Sequence, residues 1–165
     1  VHTLSKHEMD VIDAAQPLLL ETPGTEVLGV VFRTDPSFVQ AVVPRPLRPA
    51  KDPTGHVMVT HYPTTSLGFG FNEAAVSVEV DYRGETGQYL LTMLLDDDIP
   101  LIAGRETAGN PKKLAEQISL TRDQETVAGS VVRKGHEIIG VEAELTGDAD
   151  PADLGEATTD LHGGR

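Results

Sequence analysis

From Ala75 to Tyr82 the chain alternates strictly, with Val76, Val78, Val80 and Tyr82 in one phase and Ser77, Glu79 and Asp81 in the other. A period of two puts one set on each face of a β-strand, with the polar set on a wet face, whereas a helix would scatter both sets around its axis. Further short, β-branched or apolar runs predict strands at Val27–Phe32, Val57–Tyr62, Gln88–Leu95, Ile99–Ala103, Gln117–Thr121, Val127–Arg133 and Glu137–Leu145. Arg83-Gly84-Glu85-Thr86-Gly87 and Lys134-Gly135 supply hairpin turns between them. Asp35-Pro36 reads as a helix cap followed by a proline in the first turn, opening a short helix to about Val43. Pro44, Pro46, Pro49 and Pro53 then rule out a helix or central strand and predict a rigid extended loop. The expected fold class is α+β: a curved, mostly antiparallel sheet or barrel with few short helices.

The 165 residues suit one domain with a real core. The last twenty positions, 146–165, differ in character: four glycines and five acidic residues predict a flexible linker or loop. Thirteen basic residues against 26 acidic ones leave a net charge of −13, which repels phosphate backbones and argues against nucleic-acid or anionic-membrane partners. The absence of cysteine removes disulfides, thiolate metal sites and a thiol nucleophile. Val11–Leu20 carries Asp13, Gln16 and Pro17 and is too short and polar to span a bilayer, so a cytoplasmic location is the default expectation.

Several chemistries lack their signatures. The six histidines form no HxH or HxxxH pair, so no metal site is expected. Asp96-Asp97-Asp98 reads as a solvated turn between strands. Gly68-Phe69-Gly70 lacks the third glycine of a dinucleotide fingerprint, and no G-x-S-x-G elbow supports a hydrolase serine.

The informative stretch is Gly104-Arg105-Glu106-Thr107-Ala108-Gly109-Asn110-Pro111-Lys112-Lys113. Its plain structural reading makes Asn110 a helix cap, Pro111 a first-turn residue and both lysines solvated. That arrangement sets two cations against the positive end of a helix dipole, which disfavours it as a purely structural choice. The functional reading uses the same conflict: an amine attacks a carbonyl only when unprotonated, and a nearby cation, a helix N-terminus and burial all favour the neutral form. Two ammonium groups about 7 Å apart repel by roughly 2.4 kcal/mol at an effective dielectric near ~20. On an extended segment neighbouring side chains diverge, and that repulsion roughly halves. Burial alone shifts a lysine by up to about 3–5 pKa units, so an apolar surrounding should outweigh the second lysine.

These residues carry a family resemblance. Gly104-Arg105-Glu106 followed by Pro111-Lys112-Lys113-Leu114 resembles the G-R-E…P-K-K-L signature of the acetoacetate decarboxylase family. Phe32-Arg33-Thr34-Asp35 with Val42-Val43-Pro44-Arg45-Pro46-Leu47 is similar to the family's N-terminal pattern. Gly87-Gln88-Tyr89, Met93 and Leu95-Asp96 resemble the strand and turn leading to the signature, and Gly129 to Leu145 the strands after it.

The resemblance implies Lys112 as the Schiff-base nucleophile, Lys113 as the neighbour that lowers its pKa, and Glu73 as a catalytic carboxylate. Acetoacetate decarboxylase is itself the standing example of a lysine activated by a neighbouring cation, so that role comes with the resemblance and not from spacing. It further implies a small β-keto acid as substrate, no organic cofactor because the lysine supplies the electron sink, and a homo-oligomer. Arg105 and Met58 are the candidate substrate-binding residues. Met58 stands where the family has a second glutamate and Thr25 where it has an arginine, with Glu26 and His56 as neighbouring stand-ins. These departures make a non-decarboxylating aldolase or dehydratase on the same lysine the alternative activity, and a noncatalytic binding or assembly subunit a third. Family members continue with further strands, so residues 1–145 are expected to be the N-terminal part of a single domain. A separate C-terminal piece of the same protein is then a candidate partner, and Arg165 a candidate cleavage point.

Overall fold

The computed structural model describes residues 21–148. Val11–Leu20 and all but the first three positions of the 146–165 stretch lie outside them.

Among the described residues, nine strands and two helices follow in chain order: β1 (Glu26–Arg33), α1 (Pro36–Val42), β2 (Arg48–Pro49), β3 (Thr54–Tyr62), β4 (Phe71–Tyr82), β5 (Glu85–Leu95), α2 (Asp98–Ala108), β6 (Lys112–Leu114), β7 (Gln117–Asp123), β8 (Thr126–Arg133) and β9 (His136–Glu144). The first six strands form one sheet in the order β1-β3-β4-β5-β6, with β2 paired to the far end of β4. The last three form a second sheet, β7-β8-β9. Both are open, and every pairing is antiparallel except β5 with β6.

Local chemistry accounts for the connections. Asp35 caps α1 by accepting from the Ser37 backbone N–H at 2.7 Å, with Pro36 in the first turn. Arg83-Gly84 and Lys134-Gly135 adopt positive φ at both positions, the geometry that lets a two-residue turn follow the twist of its strands. Between the sheets, Val59, Ala74 and Leu94 pack on Ala115, Ile118 and Val131. Gly129 is needed there, because a Cβ would lie 2.8 Å from Val59 Cγ2. A separate cluster places α1 residues Val39 and Val43 on Val78 and Val80 of β4.

Two expectations are corrected. Ile99–Ala103 is not a strand but part of α2. Asp97 accepts from the Ile99 backbone N–H at 2.9 Å, Pro100 spends its missing N–H among the unpaired donors of the first turn, and Gly109 ends the helix at φ 67. These end signals outweigh a short apolar run that does not distinguish strand from helix. The change matters because a parallel pair needs a crossover, and α2 is the crossover between β5 and β6. The Ser77 face of β4, expected to be wet, is also largely buried: Glu73 is 6% exposed, Ala75 6% and Ser77 8%. Among the described residues no helix is long and apolar enough to cross a membrane.

Candidate functional site

Lys112 is the first residue of β6 and lies beside Met93 in the parallel register. Alternation along so short a strand sends Lys112 to the face shared by Met93, Ala75 and Glu73, and Lys113 to the opposite face with Leu94. α2 crosses over the first face and encloses the Lys112 side chain. Gly104 makes this possible, since a Cβ there would meet the Lys112 side chain, with Cδ at 2.7 Å and Nζ at 2.8 Å. Lys112 is 8% exposed. Its Nζ donates to Glu73 Oε2 at 3.0 Å and to the Pro100 carbonyl at 3.3 Å. Arg105, from the same helix, donates through Nη1 to the Lys112 backbone carbonyl at 3.1 Å.

The surrounding face is mixed. Met58 lies opposite Ala75 and Thr60 opposite Glu73 across the β3–β4 pair, with Tyr62 opposite Phe71 one step further. The Tyr62 and Phe71 rings pack with centroids 4.5 Å apart. Phe71, Ala75, Met93 and Leu95 form a buried cluster joined by Met58, Tyr62, Phe69 and Leu90. Burial pushes the Tyr62 phenol above its ordinary pKa, and the negative charge of Glu73 adds to the rise, with a smaller opposing effect from Thr60. The Thr60 hydroxyl is buried and has no partner at hydrogen-bond geometry. Further along, Ser77 donates to Gln88, the Gln88 amide meets His56 Nε2 at 2.9 Å, and Thr54 bridges His56 and Glu79.

The residues singled out from sequence therefore separate. Lys112, Glu73 and Met58 share one face, and Lys112 and Glu73 touch. The expectation that Asn110 caps a helix ahead of two solvated lysines fails: the helix ends at Gly109, Asn110 and Pro111 lead into a strand, and Lys112 is buried. Lys113 is exposed and donates to Thr92 Oγ1 at 3.2 Å on the other side of the sheet. Arg105 braces the lysine's backbone from the helix. Of the two stand-in residues, His56 lies on the site face, and Glu26 pairs with His61 at the end of β1. Tyr62, Thr60 and Pro100 were not anticipated. The first two could have been found by counting two-residue steps along β3 once its register with Glu73 was known. Among the described residues no group of three or more histidines or carboxylates could hold a metal ion.

What the chain is similar to accords with this geometry. Residues 11–161 match the family model described as acetoacetate decarboxylase. An acetoacetate decarboxylase of Chromobacterium violaceum is 41% identical over 107 residues, 64% of this chain and 42% of that protein. One from Paraburkholderia phytofirmans is 40% identical over 107 residues, covering 64% and 41% of the two chains. The solved acetoacetate decarboxylase of Legionella pneumophila superposes with a TM-score of 0.71 at 26% identity, over 82% of this chain and 53% of that one. The chain thus spans about two fifths of the length of these curated relatives.

Proposed function

From the premise that this chain belongs to the acetoacetate decarboxylase family, we propose that Lys112 forms a Schiff base with a small β-keto acid such as acetoacetate and releases carbon dioxide. The observation that carries the reading is the buried Lys112–Glu73 pair at 3.0 Å, under the Gly104 side of α2. A buried ion pair is a costly structural device, because removing two charges from water offsets most of their attraction. It is well suited to chemistry in which the proton moves between the two groups.

Transfer of a proton from the Lys112 ammonium to the Glu73 carboxylate leaves a neutral amine beside a carboxylic acid. The amine nitrogen bonds to the ketone carbon and the carbonyl π electrons move to oxygen, giving a carbinolamine after proton shift. Glu73 returns its proton as the hydroxyl leaves as water, forming the iminium. The bond to the carboxylate then breaks, its electron pair entering the C–C bond as the iminium π pair returns to nitrogen. The enamine so formed takes up a proton at carbon, and water releases the ketone. The apolar floor of Met58, Ala75, Met93 and Leu95 favours this sequence, since it disfavours the carboxylate of the ground state more than a transition state in which that charge is passing to the iminium and being cancelled.

Lys113 lies too far round the strand to dominate. Arg105 positions Lys112 through its carbonyl, and Met58 contributes an apolar wall to the substrate. A second reading, aldol or dehydration chemistry on the same lysine, is favoured by Met58, which leaves this face with one carboxylate near the amine.

The test is borohydride reduction in the presence of acetoacetate, followed by peptide mass analysis, with carbon dioxide release measured in parallel. A reduced adduct on Lys112 with gas evolution is expected. An adduct without gas would favour the second reading, and no adduct would overturn both.

A further inference from the structure

The conversion of an anionic β-keto acid to a neutral ketone and carbon dioxide consumes one proton. The Lys112–Glu73 pair does not supply it, because the proton that Lys112 passes to Glu73 leaves with the water of iminium formation and is restored only when the amine is freed. Glu73 is left as a carboxylate at 6% exposure, so a donor with its own path to solvent suits the protonation of the enamine carbon better.

We propose that Tyr62 is that donor, carrying a proton from an outer cleft to the carbon attached to Lys112. The proposal rests on the lysine reading above and adds a residue to it. Three observations place Tyr62 for this task. Its side chain is on the Glu73 face, one two-residue step along β3 from Thr60, which sits directly opposite Glu73. Its ring is held against Phe71 at 4.5 Å, so the phenol has few orientations. The same residue lines a cleft of about 480 Å³ with His61, Asn72, Asp96 and Asp97, so Tyr62 belongs both to the Glu73 face and to the wall of that cleft. No other residue described here joins the Glu73 face to that cleft through an acidic hydrogen except the tyrosine, since Phe71, which also does both, has none.

In the step itself the phenol O–H bond breaks as the enamine carbon forms a C–H bond, and the enamine nitrogen lone pair becomes the iminium π bond. The resulting phenolate faces a cationic iminium, an attractive pairing. It then recovers a proton from water in the cleft. A phenol is protonated through the neutral range at its ordinary pKa, and burial, which moves Tyr62 upward, leaves it so. The buried Thr60 hydroxyl lies near enough to the phenol to oppose the rise in its pKa, and is placed to hydrogen-bond the phenolate when it forms.

The test uses acetone, the ketone that forms the same iminium, and the Tyr62→Phe variant, which keeps the ring against Phe71 and removes only the hydroxyl. Two rates are read: borohydride trapping on Lys112, which needs the iminium alone, and exchange of the acetone methyl hydrogens in deuterated water, which needs proton transfer at carbon. The expected result is unchanged trapping with exchange slowed by about 10²-fold or more, the range for loss of a general acid. Wild-type exchange in the variant overturns the Tyr62 assignment while leaving the lysine reading intact. Loss of trapping together with exchange also overturns it, since it shows a structural part only. Absence of trapping in the unmodified protein overturns the lysine reading, and this one with it.

Discussion

Replacing Gly104 with alanine tests whether α2 and Lys112 are built around each other. The new Cβ would stand 2.7 Å from Lys112 Cδ and 2.8 Å from Nζ. Non-bonded carbons prefer about 3.5–4.0 Å, so the lysine side chain must retreat by about 1 Å or the helix must lift. Either movement lengthens the 3.0 Å contact with Glu73. Alanine gains about 1 kcal/mol over glycine inside a helix. Leaving one member of a buried ion pair without its partner costs about 3–5 kcal/mol. The net expectation is destabilisation of about 2–4 kcal/mol, read from the midpoint of urea unfolding. Reactivity should fall further, since a misplacement of about 1 Å costs about 10²-fold in rate, read from borohydride trapping with acetoacetate. Glu106→Ala, at an exposed position of the same helix, is the control and should change neither. A Gly104→Ala protein as stable and as quickly trapped as the parent would refute the idea that the helix surface gates the lysine.

Other outcomes follow from the same geometry. Lys113→Gln should slow trapping by less than about tenfold, because the ammonium is exposed on the opposite face and its field is weakened by distance and solvent; a loss of 10²-fold or more, with an unchanged melting curve, would restore it to a leading role. Glu73→Gln should abolish trapping and lower stability by about 3–5 kcal/mol, measured in urea, because it strands a buried ammonium. In an absorbance titration, one tyrosine should ionise later than the ordinary value of 10.0, and Tyr62→Phe should remove that late component. The sign for stability follows: the unfolded phenol ionises first, so the contribution is whole below about pH 10 and is lost as pH rises through the higher folded pKa. Alkaline unfolding of the Tyr62→Phe protein should accordingly begin at higher pH.

Much of this protein was written locally. The alternation from Ala75 to Tyr82, the Asp35-Pro36 cap and the Arg83-Gly84 and Lys134-Gly135 turns depend on a few adjacent residues, and each forms as expected. Lys112 stood out for the same reason, through its company of Gly104, Arg105, Pro111 and Lys113. Local signals also account for Ile99–Ala103: the short apolar run suits a strand or a helix, and the Asp97 cap and Gly109 stop make it part of α2.

The remainder was settled only by pairing and packing. Which face of β4 is buried depends on what crosses it, and the alternation is the same whether α2 or water lies above Glu73 and Ser77. Lys112 and Glu73 are 39 residues apart, and no local pattern predicts that they meet at 3.0 Å. Lys113, adjacent to Lys112 in sequence, is carried away from it by the two-residue period of β6. Sequence determined most kinds of element and singled out Lys112 as the candidate amine, because those follow from neighbours. Register and the parallel crossover decided what that amine touches, because contact between distant residues is a property of the assembled sheet.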